Sequence, residues 1–207
     1  MAVGMRDAKR KLPAERHGEL LAKAVEISAD EGLSAVTLRR VATDLGVTPG
    51  LVSHYFSSAE QLITAAFTTS ADTDLAEARS RVAAADSPTA KMDALMDYVL
   101  DESSEDASAL WLEAWSLGRR NDALASAANA LTVEWLACIA EIVRYGVSSG
   151  EFDVADADVA ARRLLTMIDG LGAQMVVRAV PSSEAKYIAR SYFTSELGVA
   201  SPDGANR

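Results

Sequence analysis

Residues 37–56 read TLRRVATDLGVTPGLVSHYF, and the spacing of capping and apolar positions in this stretch predicts two short helices joined by a tight turn. Thr37 precedes a helical run, Leu38–Leu45, that stops at Gly46, a residue suited to a left-handed turn. Thr48 followed by Pro49 has the form of an N-cap with proline at the first helical position, so a second helix opens there and runs to about Phe56. Val41, Ala42, Leu45, Val47 and Val52 supply the apolar faces that lock the pair together. Two such helices on a glycine turn make a helix-turn-helix, whose second helix enters the major groove of DNA. The second helix leaves Thr48, Pro49, Gly50, Ser53 and His54 facing outward, a small and polar set that lets a helix approach base edges and phosphates. Arg39 and Arg40 lie on the first helix, where it crosses the backbone. Thr37 caps that helix beside them, and Tyr55 is open to two readings, phosphate contact or packing.

Outward from this stretch the chain reads as helix throughout. Leu20, Leu21, Ala24, Val25 and Ser28 line one face of a first helix that Gly32 ends. Ser57 with Glu60 has the spacing of a capping box and opens a long helix to about Ala85. Ser87–Pro88 starts another, and the cluster Asp101–Asp106 interrupts the pattern. A tryptophan-bearing helix follows over about 110–117, then a long one marked by Trp135 through Val147, one marked by Leu164 through Val176, and a last one over about 183–197. Strand alternation never persists, so the expected fold is all-α with about nine helices. The expected organisation is a basic arm at 1–13, a helix-turn-helix head at 14–57, a helical body at 58–198 and a disordered tail at 199–207.

The 207-residue chain carries a net charge of −10, which opposes DNA binding if it is spread evenly. It is not. Residues 1–55 hold eight Lys/Arg against seven Asp/Glu, whereas residues 56–207 hold 12 against 23, the asymmetry of a DNA-facing head on a body repelled by the duplex. Charges interrupt the apolar stretches short of the ~20 residues that cross a bilayer, and the basic start lacks the apolar core of a signal peptide, so a cytoplasmic location with no membrane partner is expected. One cysteine, Cys138, and two histidines leave no disulfide and no Cys/His metal site to expect. An all-α enzyme would need a histidine or cysteine near a carboxylate, paired Glu-x-x-His motifs or a phosphate loop. None of these stands in the sequence, so neither catalysis nor a cofactor is expected.

The head resembles the TetR family of bacterial repressors. The resemblance rests on Thr37, Ala42, Gly46, Val47, Thr48, Gly50, Tyr55, Phe56, Glu60 and Leu62, and it covers about residues 14–67. Within the family, the Ser-His-Tyr-Phe ending at Phe56 is similar to the betaine-synthesis regulator (BetI-like) branch. The chain departs from many members at Ser53, where tyrosine is common, and at Ala59, where a lysine grips phosphate, which leaves Arg6–Lys11 as the alternative source of affinity. The resemblance implies a homodimer on palindromic double-stranded DNA, a small-molecule effector held in the body, and two long late helices that pair with those of a second subunit.

For the effector site the residues themselves offer Trp111 and Trp115, four apart on one face, with Phe67, Met96 and Trp135 from neighbouring helices and Asp169 as an acid on an otherwise apolar helix. Carboxylate and aromatic groups together favour a cationic or amphiphilic ligand. Glu113 is a second acid within reach of the tryptophans. The same stripes equally describe a plain core, and the alternative is a DNA-binding protein with no ligand, controlled by its abundance or by a protein partner. Gly170 and Gly172 lie inside a predicted helix, at a cost of about 1 kcal/mol each, which the close approach of another helix would offset.

Overall fold

The computed structural model describes residues 12–199. Nine α-helices run through them: α1 (Pro13–Glu31), α2 (Leu38–Asp44), α3 (Pro49–Tyr55), α4 (Ala59–Ala83), α5 (Pro88–Val99), α6 (Glu105–Gly118), α7 (Asp122–Ser149), α8 (Ala157–Val176) and α9 (Ser182–Glu196). Short 3₁₀ turns at Leu33–Ala35 and Glu102–Ser104 precede α2 and α6. Both the basic arm Arg6–Lys11 and the tail from residue 200 lie outside the described residues.

Local chemistry sets most of these boundaries. The hydroxyls of Thr37, Thr48 and Ser87 accept from the backbone N–H of Arg40, Leu51 and Ala90, capping α2, α3 and α5. The cap of α4 falls one residue later than Ser57: Ser58 accepts from Gln61 N–H, and the Gln61 side chain reaches back to the N–H of Ser57. Gln61 thus does what Glu60 was expected to do, because it stands three residues after the true cap. The acidic cluster at 101–106 does not break the chain into a loop. Asp101 caps the 3₁₀ turn, and α6 begins at Glu105, where acidic residues suit the positive end of a helix. Helix α7 starts at Asn121–Asp122, well before Trp135; the alanine-rich stretch 123–130 propagates helix strongly but carries little apolar contrast.

Three cores divide the molecule. The first gathers Leu20, Ala24, Ile27, Val36, Val41, Ala42, Val52 and Phe56 with Leu62 and Ala66 from the start of α4. The second is the body, built on α7 and α8, with Leu75 and Ala78 from the end of α4 and with Cys138 buried as filler. Between them Leu33 of the 3₁₀ turn packs with Phe67, Ala71, Ala114, Leu124, Ala128 and Leu131. Helix α4 therefore contributes to all three, a single rod from the head into the body. By length and composition α7 is apolar enough to cross a membrane, contrary to the sequence expectation. It packs against α4, α5, α6 and α8, which accounts for its apolar faces as core.

Candidate nucleic-acid interface and ligand cavity

The turn between α2 and α3 is closed by two backbone bonds: Gly46 N–H donates to Thr43 O at 3.1 Å and Val47 N–H to Ala42 O at 2.9 Å. With Gly46 at φ 62°, this is the six-to-one and five-to-two pattern that ends a helix on a left-handed residue. It fixes the angle at which α3 leaves α2. Val52 is buried on the inner side of α3, whereas Thr48, Pro49, Gly50, Ser53 and His54 are exposed together, as expected from their spacing. Thr37 is exposed too, its hydroxyl engaged as the α2 cap.

The structure separates the two arginines that the sequence places side by side. Arg39 is exposed with no side-chain partner among the described residues. Arg40 donates to both carboxylate oxygens of Glu31 at 2.6 and 2.7 Å and to both of Asp44 at 3.0 and 3.1 Å. These two carboxylates raise the Arg40 pKa further above its ordinary value, and the guanidinium in turn lowers that of Glu31. Arg40 therefore clips α2 to the end of α1 through its pairs with Glu31 and Asp44. Tyr55 is half-buried, its ring edge-on to His54 at 5.2 Å and to His17 at 6.3 Å, while His17 stacks on Phe56 at 4.8 Å. Its ring packs against both histidines, and its hydroxyl is not assigned a phosphate contact.

In the body a cavity of about 70 Å³ opens between α4, α6, α7 and α8. Trp111, Trp115 and Trp135 wall it together with Leu165 and Ile168, and Asp74 and Asp169 face it from α4 and α8. The rings of Trp111 and Trp115 lie 5.7 Å apart. Trp115 is 39% exposed at the rim and Trp135 only 6% exposed at the base. Gly172 admits the close packing of α6 on α8, since a Cβ there would stand 2.8 Å from Ser108 Oγ; Gly170 meets nothing within 4 Å. The close approach expected for these glycines thus involves one of them and a neighbour in the same chain. A second space of about 180 Å³, between α1, α4 and α6, shares Asp74, Ala107 and Trp111 with the cavity.

Four of the six expected lining residues, Trp111, Trp115, Trp135 and Asp169, meet in the cavity. Phe67 and Met96 do not. Phe67 is fully buried in the middle core, where its ring meets the edge of Trp111 at 5.2 Å, and Met96 is buried in the body core. Glu113 points the other way: its carboxylate accepts from Leu33 N–H at 2.7 Å and packs over Gly32, tying α6 to the head. The residue that sequence reasoning missed is Asp74. A signal for it exists, because Asp74 continues the stripe Phe67, Ala71, Ala78 at helical spacing, a charge on a face otherwise apolar.

The charges of the cavity are uncompensated. Burial pushes the Asp169 carboxyl up to about 6, and no hydrogen bond or cation offsets it among the described residues. Asp74 is also raised by burial, opposed only by the hydroxyl of Tyr98, which donates to its Oδ1 at 2.6 Å. Trp135 Nε1 is buried without a partner among the described residues. No group of His, Cys, Asp and Glu suited to a metal is found among them.

A helix-turn-helix presented on a helical body that contains a tryptophan-walled, acidic cavity defines a DNA-binding transcriptional regulator. Residues 20–66 match the model of bacterial regulatory proteins of the tetR family, and residues 88–198 match that of the BetI-type transcriptional repressor C-terminal domain. The chain is 30% identical to the HTH-type transcriptional regulator BetI 2 of Chromohalobacter salexigens, across 94% of this chain and 91% of that one. It is 28% identical to BetI of Rhizobium meliloti, across 87% and 84%. Among solved structures it superposes with a TM-score of 0.80 on a putative transcriptional regulator from Saccharomonospora viridis in complex with choline, at 21% identity, covering 91% of this chain and all of that one (100%). This chain belongs to the TetR family and carries a BetI-type C-terminal domain. The branch resemblance seen in the head extends through the body.

Proposed function

We propose that the protein is a cytoplasmic homodimeric repressor that holds a palindromic operator through α3 and is released when a compact organic cation enters the cavity of the body. The observation that carries this reading is the set of three tryptophans and two carboxylates without a counter-charge among the described residues around one cavity. Aromatic faces attract a quaternary ammonium group, and carboxylates without a counter-charge gain most from a cationic guest. The choline bound to the Saccharomonospora viridis neighbour supports the same ligand class. At about 70 Å³ the space is well below the ~300–1,000 Å³ of drug-sized pockets, so it suits a compact molecule.

At the operator, Thr48, Pro49, Gly50 and Ser53 stand where bases are read, and Arg39 and His54 where phosphates are gripped. Dimerisation fits the outer face of α7 and α8, which exposes Val133, Val147 and Val159 and leaves open space at Gly170. Two heads related by a two-fold axis then address half-sites about one helical turn apart. The test is calorimetric titration with choline, together with operator binding by a DNA fragment selected from random sequence. Choline binding accompanied by operator release supports the reading. Operator binding by a protein that takes no organic cation replaces it with control by abundance or by a protein partner.

A further inference from the structure

The two carboxylates that face the cavity are not equivalent. Asp169 sits on α8, within the body. Asp74 sits on α4, the rod that also carries Leu62 and Ala66 into the head core, and it is the one α4 residue that lines the cavity among the described residues. It also faces the adjoining space next to α1, where Ser28 and Ala29 form the far wall. Its Oδ1 is held by the Tyr98 hydroxyl at 2.6 Å, while its other oxygen has no partner among the described residues. Tyr98 is fixed in turn: the Arg81 guanidinium lies 4.8 Å from the centre of its ring, and burial beside Asp74 raises the phenol further, which keeps the hydroxyl a donor. Among the described residues no lysine or arginine pairs with Asp74 itself.

A carboxylate held by one oxygen at the edge of an aromatic cavity, with no counter-charge among the described residues, is arranged to receive a positive charge. Attraction between that charge and Asp74 acts on α4 directly, whereas attraction to Asp169 acts on α8. We propose that Asp74, positioned by Tyr98, is the residue that reads the ligand's charge and passes it to the head through α4. The inference rests on the cation reading of the cavity and assigns the recognition of charge and the coupling to one residue.

Choline and 3,3-dimethylbutan-1-ol have the same shape and differ in charge, so their affinity ratio isolates charge recognition. In the wild-type protein choline is expected to bind about 10-fold more tightly or better, the size of one charge-assisted contact. Asp74→Asn keeps the acceptor for Tyr98 and is expected to cut the preference by most of its size, leaving the part due to the tryptophans and Asp169, and to abolish the release of operator by choline. Tyr98→Phe leaves the charge but frees the carboxylate, and is expected to reduce the preference several-fold, which provides a reading if the Asn variant fails to fold. Preference and release that survive in both variants overturn the proposal, as does a preference lost in Asp169→Asn alone. A wild-type protein that binds both compounds equally overturns the proposal while leaving a ligand site in place. One that binds neither overturns the cation reading and this inference with it.

Discussion

Head and body are built to opposite specifications. The head packs a complete core, caps both of its short helices and pairs Arg40 internally, leaving Arg39 and the outer face of α3 exposed. The body leaves a cavity open, two carboxylates without counter-charge and an indole N–H without a partner. Groups left unsatisfied in a buried site raise the energy of the empty state and can be relieved by a ligand. Under the proposed function the head reads a fixed surface and the body is a receptor whose stability depends on occupancy. The two regions are joined by the middle core, α4 and the bond from Leu33 N–H to Glu113, which the proposed switching would have to use.

The largest predicted effect falls on the join. Phe67→Ala removes a fully buried ring shared by head and body and is expected to cost about 3–5 kcal/mol in unfolding free energy, measured by denaturant titration. A cost near zero would mean that the two regions are packed independently. Next in size is Glu113→Ala, which leaves the N–H of the buried Leu33 without its acceptor, at about 1–3 kcal/mol. Glu113→Gln keeps an acceptor oxygen and is expected to restore most of that loss. Full restoration of stability with operator release still lost would show that the charge, and not the bond, carries the coupling.

Smaller effects separate reader from scaffold within the head. Arg39→Ala is expected to lower the salt slope of operator binding by about one, as the loss of one phosphate contact does. Arg40→Ala is expected to leave the slope unchanged and to act through the α1–α2 clip. Equal slope changes in both variants would erase the distinction drawn from their partners.

The cavity carries its own pH signature. Asp169 binds its proton more tightly when folded, up to about 6 against an ordinary 3.8. Asp169 therefore contributes a loss of stability as pH rises from about 4 to about 6, and Asp169→Asn removes that contribution. A cation favours the ionised form, so choline affinity should increase over the same interval, with Asp74, raised in the same direction, contributing to the gain.

The difference between the regions also explains what the sequence made legible. Thr37, Gly46, Thr48 and Pro49 act on neighbours two to four residues away, so the turn, the caps and the outward face of α3 follow from local spacing. The cavity depends on which faces of four helices meet. Phe67 and Asp74 lie two turns apart on one side of α4, yet one fills a core and the other borders a void, a difference set by α6 and α7 and absent from local pattern. Arg39 and Arg40 differ in the same way, because Glu31 reaches Arg40 across a turn that local spacing does not resolve.

In the proposed mechanism, occupancy of the body and operator binding by the head are linked through one dimer. Calorimetric titration of choline into the free protein, and into the same protein saturated with its operator duplex, tests it most directly. Linkage requires that operator weaken choline binding by the same factor by which choline weakens operator binding, roughly 5–150-fold for couplings of the usual size. That reciprocal loss is the predicted result, and equal choline affinity in the two states would contradict it.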